Sequence, residues 1–282
     1  MTDLHVTGDV EEFAAAAEGY LLADPVRHNV ALTVLVRVRA GRAYDGAPVF
    51  SWLTDDAGDV VASALCTPPF HALLATADAS YAAALAPAFG AATGVIGRSD
   101  AAHAFAAALG RSVTVQRSDL QYGLGTLVHP PAPPGTPRPV TDDADVDLAV
   151  AWFEAFATEV GSHDSDHRGS IEHRLASGGA VWLWERGGEP VCLVGCYGPV
   201  GGVTRIAPVY TPAAHRRQGY AGATTAALTQ HALDTGATAA TLFTDAANPT
   251  SNGVYRRIGF REIGSLVNLR FIDAPAGSGS GR

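Results

Sequence analysis

Six prolines fall within the twelve residues His129 to Val140, HPPAPPGTPRPV, and this stretch constrains the folding of the chain more than any other. Proline fixes φ and removes an N–H donor, so a run this dense favours extended, semi-rigid backbone of the polyproline type. It reads as a linker, and it divides the 282 residues into a first domain over 1–128, a Pro-rich linker over 129–140, and a second domain over 141–273. The Gly/Ser-rich segment 274–282 reads as a flexible tail. A chain of this length is long enough to bury roughly three-quarters of its unfolded surface, and two domains suit it.

Hydrophobic periodicity supplies the elements on either side of the linker. After it, Asp143 to Glu159 has apolar residues at Val146, Ala149, Val150, Phe153 and Phe156, a helical spacing preceded by capping acids. A shorter helix is expected over Ser170 to Ala176. Strands are expected at Ala180 to Glu185, Pro190 to Tyr197 and Val203 to Tyr210, with a helix over Arg217 to Thr235. A strand at Thr238 to Thr244, a helix at Thr250 to Ile258 and a strand at Ile263 to Phe271 complete the order α-α-β-β-β-α-β-α-β. The first half gives a helix at Val10 to Leu22, strands near Pro48 to Thr54, Asp59 to Cys66 and His71 to Ala75, and a helix at Ser80 to Phe89. It continues with a strand at Thr93 to Ile96, a helix at Ala101 to Leu109 and a strand at Ser112 to Leu120. The two lists superimpose, which implies a duplicated α/β architecture built on mixed sheets.

Charge and cysteine usage exclude several functions. A net charge of -9 argues against a surface that grips nucleic acid, and the strongly apolar run Val30 to Val36 is too short to span a bilayer. The start, Met1-Thr2-Asp3-Leu4, lacks the basic and apolar segments of a secretory signal, so a cytoplasmic location is expected. Cys66, Cys192 and Cys196 cannot all pair, and Cys192 and Cys196 lack a second Cys/His pair at metal spacing. They read as buried thiols, and no metal is expected. Trp182 and Trp184 share one strand face and read as core.

Chemistry concentrates at the joint Pro208 to Ala223, PVYTPAAHRRQGYAGA. A strand ends there, a Pro-containing loop turns, and a helix opens among glycines. Unpaired N–H groups converging at a helix N-terminus bind phosphate, helped by the helix dipole, and Arg216 and Arg217 are placed to add charge-assisted contacts. At the corresponding joint of the first half stands Thr76-Ala77-Asp78-Ala79, without Arg or Gly. Downstream, Asn248 and Asn252 follow a strand, and Tyr255 sits on a short helix closed by Gly259.

Arg-x-x-Gly-x-Ala at Arg216, Gly219 and Ala221, followed by Asn248, Tyr255 and Gly259-Phe260, resembles the GNAT acetyltransferase superfamily over about 140 residues from Arg138 to Phe271. The duplicated first half looks like that of tandem GNAT proteins in which one copy has lost cofactor binding. The resemblance implies two tandem GNAT-like domains with the C-terminal one catalytic, acetyl-CoA as co-substrate, and direct attack by an amine. It places pantetheine along Val209, Tyr210 and Thr211, and the pyrophosphate on Arg216, Arg217, Gln218, Gly219, Tyr220, Ala221 and Gly222. Asn248 and Asn252 are carried over as cofactor-binding amides, and Tyr255 as the acid that protonates the departing thiolate.

Two positions depart from the family pattern. Arg217 stands where the family often has Gly, which a negative φ would accommodate. The strand Val203 to Tyr210 has no carboxylate, so the base is open among Glu159, His163, Asp164 and Asp245. Glu159, His163 and Asp164 also fall in the segment that lines the acceptor pocket in the family. From Pro139 to His167 there are eight acids and no Arg, either a solvated face or an attraction for a cationic acceptor. The expected activity is acetylation of a primary amine on a small, cationic metabolite or antibiotic, by a monomer or homodimer. Acetylation of a protein terminus or lysine, and non-catalytic sensing of acetyl-CoA, are the alternatives.

Overall fold

Strand follows helix in the same sequence twice along the chain. A computed structural model describes residues 2–161 and 166–272, in two compact units: residues 2–120 together with 264–272, and residues 121–263. The first half contains β1 (Asp3–Thr7), α1 (Val10–Leu22), α2 (Asn29–Arg39), β2 (Val49–Thr54), β3 (Val60–Cys66), β4 (Ala72–Leu74) and α3 (Ala79–Leu85). A 3-10 turn (Ala86–Phe89), β5 (Gly94–Gly97), α4 (Ser99–Ala108) and β6 (Ser112–Leu124) follow. The second half contains β7 (Thr136–Pro139), α5 (Asp143–Val160), α6 (His167–Ala176), β8 (Ala180–Arg186), β9 (Glu189–Cys196) and β10 (Val203–Tyr210). After a 3-10 turn (Ala213–His215) come α7 (Tyr220–Asp234), β11 (Ala239–Asp245), α8 (Pro249–Arg257) and β12 (Phe260–Ile272).

In the first unit β1 to β4 run antiparallel in sequence order, and β4 then pairs parallel with β5 through Ala72–Val95 and Leu73–Ile96. Beside β5 lies the end of β12, antiparallel, from Val267 opposite Gly97 to Arg270 opposite Gly94. Gly94 is required there because a Cβ would stand 2.3 Å from the Leu269 carbonyl. The core joins Leu53, Ala62, Leu85, Phe89, Val95 and Phe105 to Leu269 from that last strand.

The second unit repeats the pattern: β7, β8, β9 and β10 are antiparallel neighbours, β10 pairs parallel with β11, and the end of β6 lies beside β11. Thr241 Oγ1 donates to the Tyr122 carbonyl at 2.8 Å. In each unit, therefore, the strand next to the parallel pair comes from the other half of the chain. β7 forms within the Pro-rich stretch expected as linker. It is an edge strand, the position that tolerates prolines, and Trp184 Nε1 donates to Pro134 O at 3.1 Å just before it.

Facing residues along β8 and β9 sort the second unit into two sides. Val181, Leu183 and Leu193 pack with Val140, Ala149, Phe153 and Ile171 under α5 and α6. Trp182 and Trp184 point the other way, with rings 5.2 Å from His231 and 6.3 Å from Tyr220 of α7. Asp142, Asp166 and Asn248 cap α5, α6 and α8 by accepting backbone N–H groups, each worth about 1 kcal/mol of helix stability. The three cysteines are buried and free. No helix among the described residues is long and apolar enough to cross a membrane.

Candidate active site

β10 and β11 pair only from Val203–Ala239 to Arg205–Thr241, although β10 runs on to Tyr210 and β11 to Asp245. The ladder stops because β10 changes course. Its register with β9 jumps from Ile206–Cys196 to Val209–Val194, three residues against two, which marks a bulge. Pro208 within it has no N–H to give either neighbour. Gly195 opposite makes room, since a Cβ there would meet the Ala207 carbonyl at 2.9 Å. Arg174 of α6, stacked 3.7 Å over Tyr197, donates from Nη1 to Ala207 O at 2.6 Å and holds the bulge from one side. The two strands open a wedge whose edges carry backbone groups without ladder partners.

The helix that follows begins unusually. α7 opens at Gly219, with φ 91° and no side-chain cap, and the first N–H bonded back into the chain at this joint is Ala223, to Gly219 O at 3.1 Å. The amides of Tyr220, Ala221 and Gly222 lie ahead of it in the first turn, where a helix has no internal acceptors. Arg217 has φ 62°, the one non-glycine residue with positive φ among those described. The negative φ that would have accommodated an arginine here is not found: the turn adopts the left-handed conformation at Arg217. At the matching joint of the first unit, Asp78 accepts from the Ser80 and Tyr81 N–H groups at 2.7 and 3.2 Å. The Ser80 hydroxyl, donating to the same oxygen at 2.5 Å, and then those N–H bonds hold its carboxyl below the usual range. There the helix terminus is already occupied by its own anion.

A cavity of about 930 Å³ joins the wedge to the open end of α7. Val209, Tyr210, Thr211, Arg216, Arg217, Gly219, Tyr220, Ala221, Gly222, Asn248, Tyr255 and Glu159 all line it. Tyr255 is buried, its ring 6.5 Å from Tyr122 and 6.4 Å from Phe260, and its hydroxyl makes no hydrogen bond among the described residues. Burial, reinforced by the nearby Cys192, pushes the phenol well above its ordinary value near 10. Cys192 itself is pushed up to about 11 by burial, and Thr211 Oγ1 donates to its sulfur at 3.2 Å.

Other expected site residues have different duties. The Arg216 guanidinium lines the cavity and donates to Thr211 O at 2.8 Å and Glu159 Oε1 at 2.6 Å, which braces the loop. Glu159, a candidate base, is the partner in that exposed ion pair and lines the same cavity. Gln218 does not line the cavity; its side chain turns to Ala214 O at 3.4 Å and Arg186 at 3.5 Å. Asn252 lies on the buried face of α8, donating to Asp245 O at 3.1 Å and accepting from the Tyr122 hydroxyl at 3.3 Å. Asp245 also stands outside the cavity, its carboxylate closing the turn onto Ala247 N at 2.8 Å. His163 and Asp164 lie outside the described residues.

The acidic run is largely committed as well. Asp145 pairs with Arg138 at 2.5 Å, Asp147 pairs with Arg168, and Asp142 and Asp166 are caps. Sequence reading missed Phe156 and Val160 of α5 and Thr250, Ser251, Val254 and Arg257 of α8, all of which line the cavity. The α8 residues recur at 250, 254 and 257, a helical face that the spacing alone displays.

The residues present fit a pyrophosphate-bearing thioester: free amides at an uncapped helix end, Arg217 and Arg257 without ion-pair partners among the described residues, an unpaired strand edge, and a buried phenol beyond it. The sequence profile of the acetyltransferase (GNAT) family matches residues 146–260. No curated protein matches the chain by sequence. Among solved structures, a GCN5-related N-acetyltransferase from Kribbella flavida aligns at 21% identity over 76% of this chain and 87% of its own, with a TM-score of 0.56. A GNAT-family acetyltransferase from Colwellia psychrerythraea gives 11% identity, 96% and 100% coverage, and 0.62. A tandem GNAT protein from the clavulanic acid biosynthesis pathway gives 13%, 95% and 98%, and 0.58. At these identities the structures speak for the fold, and the profile speaks for the family. Residues 146–260 are therefore a GNAT-family acetyltransferase domain, carried on a mixed α/β fold that solved GNAT structures share.

Proposed function

We propose that the chain transfers the acetyl group of acetyl-CoA to the primary amine of a small acceptor by direct attack, at a single site in the second unit. The observation that carries this reading is the wedge between β10 and β11 opening straight onto the uncapped N-terminus of α7, with the unbonded Tyr255 hydroxyl on the same cavity wall. When bound, acetyl-CoA supplies an activated acyl carbon and a thiol leaving group. The amides of 219–222 hold the phosphates, and Arg217 adds a charge-assisted contact. The free edge of β10 at Val209 to Thr211 orients the pantetheine arm. As the amine nitrogen bonds to the acyl carbon and the carbon–sulfur bond breaks, Tyr255 delivers its proton to the sulfur, and the proton that the nitrogen loses passes to solvent, from which the phenol is restored. Its raised pKa keeps that proton in place at neutral pH.

The first unit is proposed to be non-catalytic, because Asp78 fills the helix terminus a phosphate would need. Three free thiols suit a reducing, cytoplasmic setting. The test is a thiol-release assay with acetyl-CoA and a panel of amines, with the acetylated product identified by mass spectrometry. Calorimetric binding of acetyl-CoA without thiol release from any amine or peptide would overturn the catalytic reading in favour of a sensor.

A further inference from the structure

The two faces of the wedge differ in chemistry. Directly paired strand residues share a face. Tyr210 is paired with Leu193 and so lies on the α5 side, where Leu193 packs with Phe153 and Ile171. Val209, paired with Val194, lies on the α7 side with Cys192 and Thr224. The phosphate-binding features, the open end of α7 with Arg217 and Arg257, are all on the α7–α8 side. What remains for the second substrate is the α5 end of the cavity.

That end is apolar. Phe156 and Val160 lie four residues apart on one face of α5 and line the cavity together with Tyr210. Trp152, one turn earlier on the same face, packs behind Tyr210 with ring centroids 5.9 Å apart. The carboxylate at this end, Glu159, is held by Arg216 at 2.6 Å, and Asp145 and Asp147 farther back on α5 are paired with Arg138 and Arg168. An acceptor of several positive charges would meet rings and a compensated ion pair.

Resting on the acetyl-transfer reading above, we infer that the acceptor is a monoamine on an apolar body, of the arylalkyl or alkyl class, seated between Phe156, Val160 and Tyr210. Removing a ring-sized apolar group from water favours binding by roughly 10- to 100-fold. The test compares kcat/KM of the full chain, at saturating acetyl-CoA, for 2-phenylethylamine, hexylamine, spermidine and an aminoglycoside. The expected result is a lead of about 10-fold or more for the two apolar amines over both polycations. In Phe156→Ala, the KM for 2-phenylethylamine should rise about 10-fold while the KM for acetyl-CoA stays put. A polycation preferred over the apolar amines, or a KM for 2-phenylethylamine unmoved in the variant, overturns the inference and leaves acetyl transfer standing. Thiol release from none of the amines overturns acetyl transfer to small amines and this inference with it.

Discussion

Replacing Arg217 by glycine should make the protein more stable and a poorer binder of acetyl-CoA. Arg217 sits at φ 62°, where a Cβ crowds the following carbonyl at a cost of about 1–2 kcal/mol. Glycine removes that cost but adds about 0.5–1 kcal/mol of unfolded-state entropy. The net gain is about 0.5–1 kcal/mol, which at about 2–4 °C per kcal/mol for a unit of this size raises Tm by roughly 1–4 °C. The lost guanidinium is exposed, so its contact with phosphate is worth about 1 kcal/mol, or roughly fivefold in Kd. Arg217→Ala separates the two effects, because alanine keeps the Cβ: it should bind as poorly as the glycine variant with none of its added stability. Scanning calorimetry and titration of acetyl-CoA at two salt concentrations provide both readings. The difference in affinity should narrow at high salt. A glycine variant no more stable than the alanine variant, or one that binds as the parent does, would refute the account of this residue as strain held in place for phosphate.

Tyr255→Phe should lower kcat by about 10²- to 10⁴-fold with little change in the Kd of acetyl-CoA, and an unchanged kcat removes the residue from the chemistry. Because burial raises the Tyr255 pKa above its ordinary value near 10, the hydroxyl stays protonated through the neutral range, and any loss of kcat below pH 9 must come from another group. Titration of acetyl-CoA into the parent should give one site per chain, and Asp78→Ala should lose about 1 kcal/mol of stability; two sites in the parent would contradict a first unit that binds no cofactor. Asp145 has its pKa lowered, first by Arg138, so its contribution to stability is complete above the unfolded value near 3.9 and is lost as pH falls through the lower folded one. Asp145→Asn should cost about 2–3 kcal/mol at pH 7, below the 3–5 of a fully buried pair because Arg138 is 33% exposed, and the variant should lack that acid-side loss in pH-dependent unfolding.

Periodicity displays most of the elements because their apolar faces are clean. α5 is expected from Asp143 to Glu159 and found at Asp143–Val160, and β10 coincides at Val203–Tyr210. What it misses has local causes. α2, Asn29–Arg39, carries an apolar run without the polar alternation that marks a surface helix, and β7 hides among prolines that an edge strand tolerates. At the site, Gly219 and Tyr255 are legible because their spacing is fixed by one helix start and one helix turn. The fates of Arg216, Gln218 and Asn252 are not, since each is decided by a partner far along the chain, Glu159, Arg186 and Tyr122. Spacing says where a side chain starts and nothing about which distant atom receives it.

The exchange of strands bears on how the chain can be made and cut. Synthesis is vectorial, and domains usually fold as they emerge. Here the first unit, almost entirely drawn from residues up to 120, has to wait for 264–272 before β5 has its neighbour. Until then β5 presents an open edge able to recruit strands from other chains. Neither half is a module that evolution or an engineer can lift out at the proline run: cutting there would leave β5 with one edge uncovered in one piece and strip β11 of the end of β6 in the other. The first unit's sheet is therefore completed only by residues from the far end of the sequence.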